Sequence, residues 1–213
     1  MVASRRLFVC FFVFIAAKGA ADMKELEQKI VSEGKILPGN ILKVGSFLNQ
    51  QVDTGLTMRM GQEIARLFAD CGVTKVLTVE TSGLPLAFAA ACTMNVPLVF
   101  AKKSVSANMS GNSYSAPVAS YTHGKTYNVV VSADYIQSTD RILLVDDFLA
   151  IGNALRGLKS LCEQGSAQVV GAAIAIEKWY QGGGDALRSE GLRIESLAKI
   201  RALDENNGVA FCE

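Results

Sequence analysis

An α/β fold, with a mostly parallel sheet covered by helices on both faces, is predicted by three observations. Short runs rich in Val, Ile, Leu and Ala at 74–79, 97–101, 141–147, 167–178 and 192–200 are nearly continuous in apolar content, as strands buried on both faces are. Helical stretches separate most of them, so successive strands are joined by crossovers and lie parallel. The 213 residues, 50% of them apolar, suffice for one domain with a full core.

The elements follow in order. Before any of them, Arg5 and Arg6 precede an uninterrupted apolar run over 7–17, LFVCFFVFIAA, with small residues at Gly19 and Ala21. The run is well short of the ~20 residues that a helix needs to cross a bilayer, so no stable membrane span is expected. The pattern fits a secretory signal cleaved after Ala21, and it also fits sequence upstream of a true start at Met23. The expected division is an extension over 1–22 and one domain over 23–213. Setting aside Arg5, Arg6, Lys18 and Asp22 with the extension leaves 18 basic and 19 acidic side chains in 191 residues, a net charge of −1. Neither this balance nor the +1 of the whole chain offers an electrostatic footprint for nucleic acid or an acidic membrane surface.

From Met23 a helix is predicted through Leu26 and Ile30, stopped by Gly34. A mixed loop follows. A second helix opens at Asp53 or Thr54, aligns Leu56, Met60, Ile64, Leu67 and Phe68, and ends before Gly72. TKVLTV (74–79) is a strand, ETSG (80–83) a turn, 84–94 an Ala-rich helix and PLVFA (97–101) a buried strand. The Ser-rich stretch 102–126 has no sustained apolar period and reads as a long loop or a loosely held hairpin, of the kind that carries function. TYNVVVSADYI (126–136) and RILLVDD (141–147) are strands, 153–164 is a helix closed by Gly165, and AQVVGAAIAIEK (167–178) is a strand. A GGG turn and a short helix then lead to LRIESLAKI (192–200), the last strand.

Several chemistries are excluded. The five cysteines, Cys10, Cys71, Cys92, Cys162 and Cys212, are odd in number and lack CxxC spacing, which indicates free thiols. The lone His123 cannot build a multi-His zinc site, and no GxSxG elbow is present. ASYTHGKT (119–126) comes within one residue of a nucleotide-binding GxxxxGK[ST] loop, but the β-branched residues after it read as strand where such a loop must open a helix.

The informative segment is RILLVDDFLAIGNA (141–154). An apolar strand ends in adjacent carboxylates, Asp146 and Asp147, at the carboxyl edge where open α/β sheets bind ligands. Small residues then lead into a helix near Asn153, whose first amides and dipole form an anion site. Carboxylates that accept from vicinal hydroxyls, beside amides that hold a phosphate, describe a site for a ribose 5-phosphate.

This arrangement resembles the 5-phosphoribosyl 1-pyrophosphate (PRPP) motif of the type I phosphoribosyltransferases. ILKVGSFLNQQVD (41–53), IEKWY (176–180) and RIESLAKI (193–200) extend the resemblance to the bacterial xanthine-specific branch, collinearly from Met23 to near the C-terminus. The resemblance implies a type I phosphoribosyltransferase fold with a small hood built partly from 36–53. It implies transfer of the 5-phosphoribosyl group to N9 of xanthine, giving XMP and diphosphate. Guanine or hypoxanthine as the base, or a non-catalytic purine regulator on the same fold, are the alternatives.

Carried over by position, the base contacts fall on Leu42, Asn49 and Lys178, and the PRPP loop on Ala150, Ile151, Gly152, Asn153 and Ala154. Asp146 and Asp147 would fix the ribose. Ser82, Gly83, Lys102 and Lys103 are placed to hold the diphosphate. Asn49 offers both a donor and an acceptor to an oxopurine edge, Lys178 donates to a carbonyl oxygen or stabilises an anionic base, and Trp179 or Tyr180 would stack. No metal is held directly by the protein, and Mg²⁺ comes with PRPP. A homodimer in the cytoplasm is implied, with the 102–126 loop closing over the site. Two departures stand out. Ile151 and Ala154 replace the threonines common in this loop, leaving amides and the Asn153 side chain for the phosphate. Ala150 stands where related hypoxanthine and guanine enzymes carry an Asp, so no general base is visible.

Overall fold

The computed structural model describes residues 21–103, 112–119 and 126–212. The extension up to residue 20, His123 and most of the expected closing loop lie outside the described residues.

Helix α1, Ala21–Glu33, buries Leu26 and Ile30 on one face, and the Gly34 N–H ends it on the Ile30 carbonyl at 2.9 Å. Strands β1, Lys35–Leu37, and β2, Ile41–Lys43, form a short antiparallel hairpin. A single π turn, Gly45–Asn49, follows and buries Phe47 and Leu48. Helix α2, Thr54–Leu67, is capped by the Asp53 carboxylate, which accepts from the Leu56 N–H at 3.0 Å. Next come β3, Lys75–Val79, α3, Leu84–Met94, and β4, Leu98–Ala101. A hairpin of β5, Ser113–Ala119, and β6, Thr126–Ser132, leads to β7, Arg141–Leu149. The chain continues through α4, Asn153–Gln164, β8, Gln168–Lys178, α5, Gly183–Ser189, β9, Ile194–Asp204, and β10, Gly208–Phe211.

The main sheet has the order β10-β9-β8-β7-β3-β4, parallel throughout except for β10. Strand side chains alternate between its faces. Leu143, Val145, Ala173 and Ala175 join one core with Leu56, Met60 and Ile64 of α2 and Leu86 and Ala90 of α3. Ile142, Leu144, Ala172 and Ile174 join a second core with Leu155, Leu158 and Leu161 of α4 and with Val129 and Val131 of β6. No helix among the described residues is long and apolar enough to cross a membrane.

The structure extends or refines the sequence reading in several places. Residues 126–132 do not enter the main sheet: β6 pairs with β5, from Ser113 opposite Ser132 to Ala119 opposite Thr126. Of the stretch read as a long loop or loosely held hairpin, Ser113–Ala119 is one strand of a hairpin. Ala116 and Val118 are buried while Ser115 and Pro117 are exposed, an alternation too small in side-chain volume to register as an apolar period. The Gln164 side chain fastens β5 to α4, accepting from the Ser115 N–H at 3.3 Å and donating to its carbonyl at 3.0 Å. Strand β7 continues two residues beyond the acidic pair, to Leu149, and β9 extends to Asp204 and turns back into β10.

Candidate active site

Consecutive strand residues point to opposite faces, so adjacent carboxylates at the end of β7 serve two sides of the sheet. Asp147 meets the π turn, where the Asn49 Nδ2 donates to its Oδ2 at 3.1 Å. Asp146 meets the opposite side, with Gly83, Lys103 and Tyr127 around it. Both are buried, and the Asp147 N–H donates to the Asp146 Oδ1 at 3.0 Å. Burial, and then the charge of Asp147, push the Asp146 carboxyl well above the usual aspartate range.

The chain after β7 turns sharply into α4. Gly152 takes a left-handed conformation, φ 87°, that lets 150–152 turn into α4, and it caps the helix without a side chain, leaving the first amides open to an anion. A cavity of about 170 Å³ is lined by Ala150, Ile151, Gly152, Asn153 and Ala154 on one side and by Val118 and Tyr127 of the hairpin on the other. The Asn153 Nδ2 donates to the Ala119 carbonyl at 2.9 Å and ties the loop to the hairpin. The backbone amides are left as the principal donors in the cradle.

The 80–83 turn lies beside Asp146. A Cβ on Gly83 would sit 2.6 Å from the Thr78 Oγ1 and 2.8 Å from the Asp146 Oδ1, so only glycine allows this approach. The two lysines after β4 part company. Lys102 pairs through its backbone with Val130, with N–H to O distances of 2.9 and 2.8 Å. Lys103 donates its backbone N–H to the Glu80 carboxylate at 2.7 Å, and its Nζ lies 5.2 Å from the centre of the Tyr127 ring. Ser82 is half-buried within the turn.

On the hood side, Lys178 ends β8, donates to the Asn40 carbonyl at 3.2 Å and lies 6.0 Å from the Phe148 ring centre. Burial lowers its pKa. Leu42 is buried in the core beside Val44, while Trp179 and Tyr180 are partly exposed. Trp179 is held by a hydrogen bond from its Nε1 to Asp185 at 3.3 Å.

Sequence reasoning missed the support under Lys178. Glu177 is fully buried and accepts from Arg188 through both carboxylate oxygens at 2.8 and 2.7 Å, and from the Ser196 hydroxyl at 2.5 Å. Burial opposes its charge, but these hydrogen bonds outweigh it and keep the pKa below the usual glutamate value. A depressed pKa contributes stability that is present above the unfolded value and lost as pH falls through the folded one. Arg188→Met strands a buried carboxylate, so it is expected to cost about 3–5 kcal/mol and lower Tm by roughly 10 °C at neutral pH. Melting curves across pH are expected to show the deficit shrinking in acid, where Glu177 of the variant is protonated.

The structure thus gathers Asp146, Asp147, Gly83, Lys103, Asn49 and the 150–154 loop around the carboxyl end of β7, with Lys178 at the end of the neighbouring strand. Leu42 and Lys102 contribute through packing and backbone. Tyr127 and Glu177 join the site without having been anticipated. Among the described residues no group of three or more His, Cys, Asp or Glu is placed to hold a metal ion.

The phosphoribosyl transferase domain model matches residues 55–190. A xanthine phosphoribosyltransferase of Limosilactobacillus reuteri is 47% identical over 184 residues, 86% of this chain and 96% of that protein. One of Bifidobacterium longum is 49% identical over 187 residues, 87% of this chain and 97% of its own length. Among solved structures, the adenine phosphoribosyltransferase of Thermoanaerobacter pseudethanolicus has a TM-score of 0.69 at 19% identity, covering 83% of this chain and 99% of that one. The Giardia lamblia enzyme complexed with 9-deazaadenine has a TM-score of 0.71 at 18% identity, covering 83% of this chain and 97% of that one. At these identities the solved structures establish the fold alone.

Proposed function

This chain belongs to the phosphoribosyltransferase family, and on that premise we propose that it transfers the 5-phosphoribosyl group of PRPP to N9 of xanthine in purine salvage. The products are XMP and diphosphate. The observation that carries the reading is the Asp146–Asp147 pair at the junction of three surfaces: the α4 cradle, the Gly83–Lys103 turn and the Asn49 hood. The xanthine phosphoribosyltransferases related to this chain at 47–49% identity support the choice of base.

In this reading the amides of Ala150, Ile151, Gly152, Asn153 and Ala154 receive the 5-phosphate, and Asp146 and Asp147 accept from the ribose 2- and 3-hydroxyls. Ser82, Gly83 and Lys103 face the diphosphate, and Lys102 fixes the backbone beside them. Asn49 and Lys178 read the oxopurine edge, with Leu42 packed behind. As the C1–O bond to diphosphate breaks, positive charge develops at C1 and the bond to N9 forms. The protein contributes by alignment and electrostatics, without a covalent intermediate. Xanthine is acidic for a purine, so a base held as an anion by Lys178 becomes neutral on forming the N9–C1 bond and releases no net proton, which suits a loop carrying Ala150 where a carboxylate base would stand.

Mg²⁺ enters as part of the Mg²⁺–PRPP substrate, its charge met by the diphosphate oxygens. The catalytic domain is residues 23–213, acting as a homodimer in the cytoplasm, where the donor is found. The test is diphosphate release by the full chain with Mg²⁺–PRPP and a panel of bases. Xanthine is expected to exceed guanine and hypoxanthine by at least 10-fold in kcat/KM, a difference of ~1.4 kcal/mol. Comparable rates for all three overturn the base assignment, and release with none overturns the enzyme reading.

A further inference from the structure

The hairpin residue Tyr127 is used by none of the roles described so far. We propose that Tyr127 is a positioning residue for the phosphoribosyl donor, its ring seating the Lys103 ammonium beside the Asp146–Asp147 pair where the diphosphate would lie.

Lys103 is anchored twice. Its backbone N–H bonds to Glu80 of the diphosphate turn at 2.7 Å, which fixes where the side chain begins. Its Nζ rests 5.2 Å from the Tyr127 ring centre, within the range of a cation–π contact. A lysine stem loses substantial rotamer freedom when its head is held, and an aromatic platform supplied in advance lowers that cost on binding. An ammonium has three N–H donors, and a contact with one ring face does not occupy them all, so donors remain for phosphate oxygens.

The platform itself is well placed. Tyr127 pairs in register with Val118 on β5, and both line the cavity opposite Ala150 and Gly152. The hairpin is held to the site at two points, the Lys102–Val130 backbone bridge and the Asn153–Ala119 hydrogen bond. Burial, and then the Asp146 charge, raise the Tyr127 pKa, so its hydroxyl stays protonated and adds no negative charge near the diphosphate. One side chain thereby joins the cradle for the 5-phosphate to the lysine for the diphosphate.

The inference rests on the proposed PRPP chemistry, so its test reads donor binding apart from turnover. In the full chain, Tyr127→Leu is expected to raise the KM for PRPP about 3- to 10-fold with kcat within about twofold. Tyr127→Phe, which keeps the ring, is expected to restore KM to within about twofold of the parent. In a Lys103→Met background, Tyr127→Leu is expected to add less than about twofold, because the contact is already gone. Titration calorimetry of Mg²⁺–PRPP without base is expected to give the same ratios in Kd, whichever purine is the substrate. Tyr127→Ile serves if the Leu variant does not fold.

An unchanged KM in the Leu variant, a loss undiminished in the Lys103→Met background, or failure of Phe to restore binding each overturns the proposal. A lowered Tm without a change in KM or Kd does so too. A parent chain that binds no PRPP overturns the functional reading itself, and this inference with it.

Discussion

Replacing Asp146 and Asp147 together by Asn is expected to lower kcat/KM for PRPP by about 1000-fold, measured as diphosphate release with xanthine. A carboxylate can accept from two hydroxyls at once, whereas an amide has one acceptor and places an N–H donor against a hydroxyl donor. The misfit displaces the ribose, and a displacement of ~1 Å at C1 alone costs about 100-fold in rate. The second substitution also unsettles the base side, because Asp147 holds the Asn49 amide at 3.1 Å. The KM for both substrates should therefore rise in the double variant.

The Asp146 substitution has an opposite expected effect on stability. Burial and the Asp147 charge raise the Asp146 pKa well above its ordinary 3.8. A group raised in the folded state contributes stability that is fully present below the unfolded value and lost as pH rises through the folded one. Asp146→Asn removes that loss, so Tm at pH 7 is expected to rise by about 2–5 °C, with the gain vanishing in acid. An inactive and more stable variant separates a lost site from a lost fold, and a fully active one contradicts the assignment.

Replacing Lys178 by Met is expected to lower kcat/KM for xanthine about 100-fold while the KM for PRPP moves less than about threefold. Removing the ammonium leaves an anionic base unpaired in a half-buried site, whereas the donor site lies on other elements. The pH profile supplies the sharper readout. In the parent chain kcat/KM for xanthine should rise as the base ionises, then fall as Lys178 loses its proton. Burial lowers that lysine from its ordinary 10.5, so the alkaline fall comes earlier than an exposed lysine would give. The Met variant should lose this fall, and an unchanged profile would remove Lys178 from base recognition.

The sequence carried the α/β architecture where apolar pattern and local caps agreed. β3, α3, β7, α4 and β8 emerge within two residues of their expected bounds, and α2 begins where expected, because continuous Val, Ile and Leu runs, Gly165 after α4 and the Asp53 cap of α2 each act locally. The β5–β6 hairpin was less legible, since Ser, Ala and Pro supply little apolar volume and its strand character comes from pairing and from packing on α4. β10 was missed because it is a short strand made by the turn over Asp204, whose carboxylate accepts from the N–H groups of Asn206 and Asn207 at 2.9 and 2.8 Å.

The site divides along the same line. Asp146, Asp147 and the 150–154 loop are contiguous, and their chemistry can be read from spacing. Their partners are distant in the chain: Asn49 lies 98 residues from Asp147, and Tyr127 reaches Lys103 across the hairpin. Contacts of that kind leave no local periodicity. Tyr127 reads as one more strand aromatic beside Val129 and Val131, and Glu177 reads as a polar interruption until Arg188 is brought against it.

Identification of the product by mass spectrometry tests the central claim most directly. The full chain, incubated with Mg²⁺–PRPP and xanthine, is expected to form XMP in a one-to-one ratio with diphosphate, and to form none when xanthine is omitted. Diphosphate released without XMP, or no turnover by a folded chain, would contradict it.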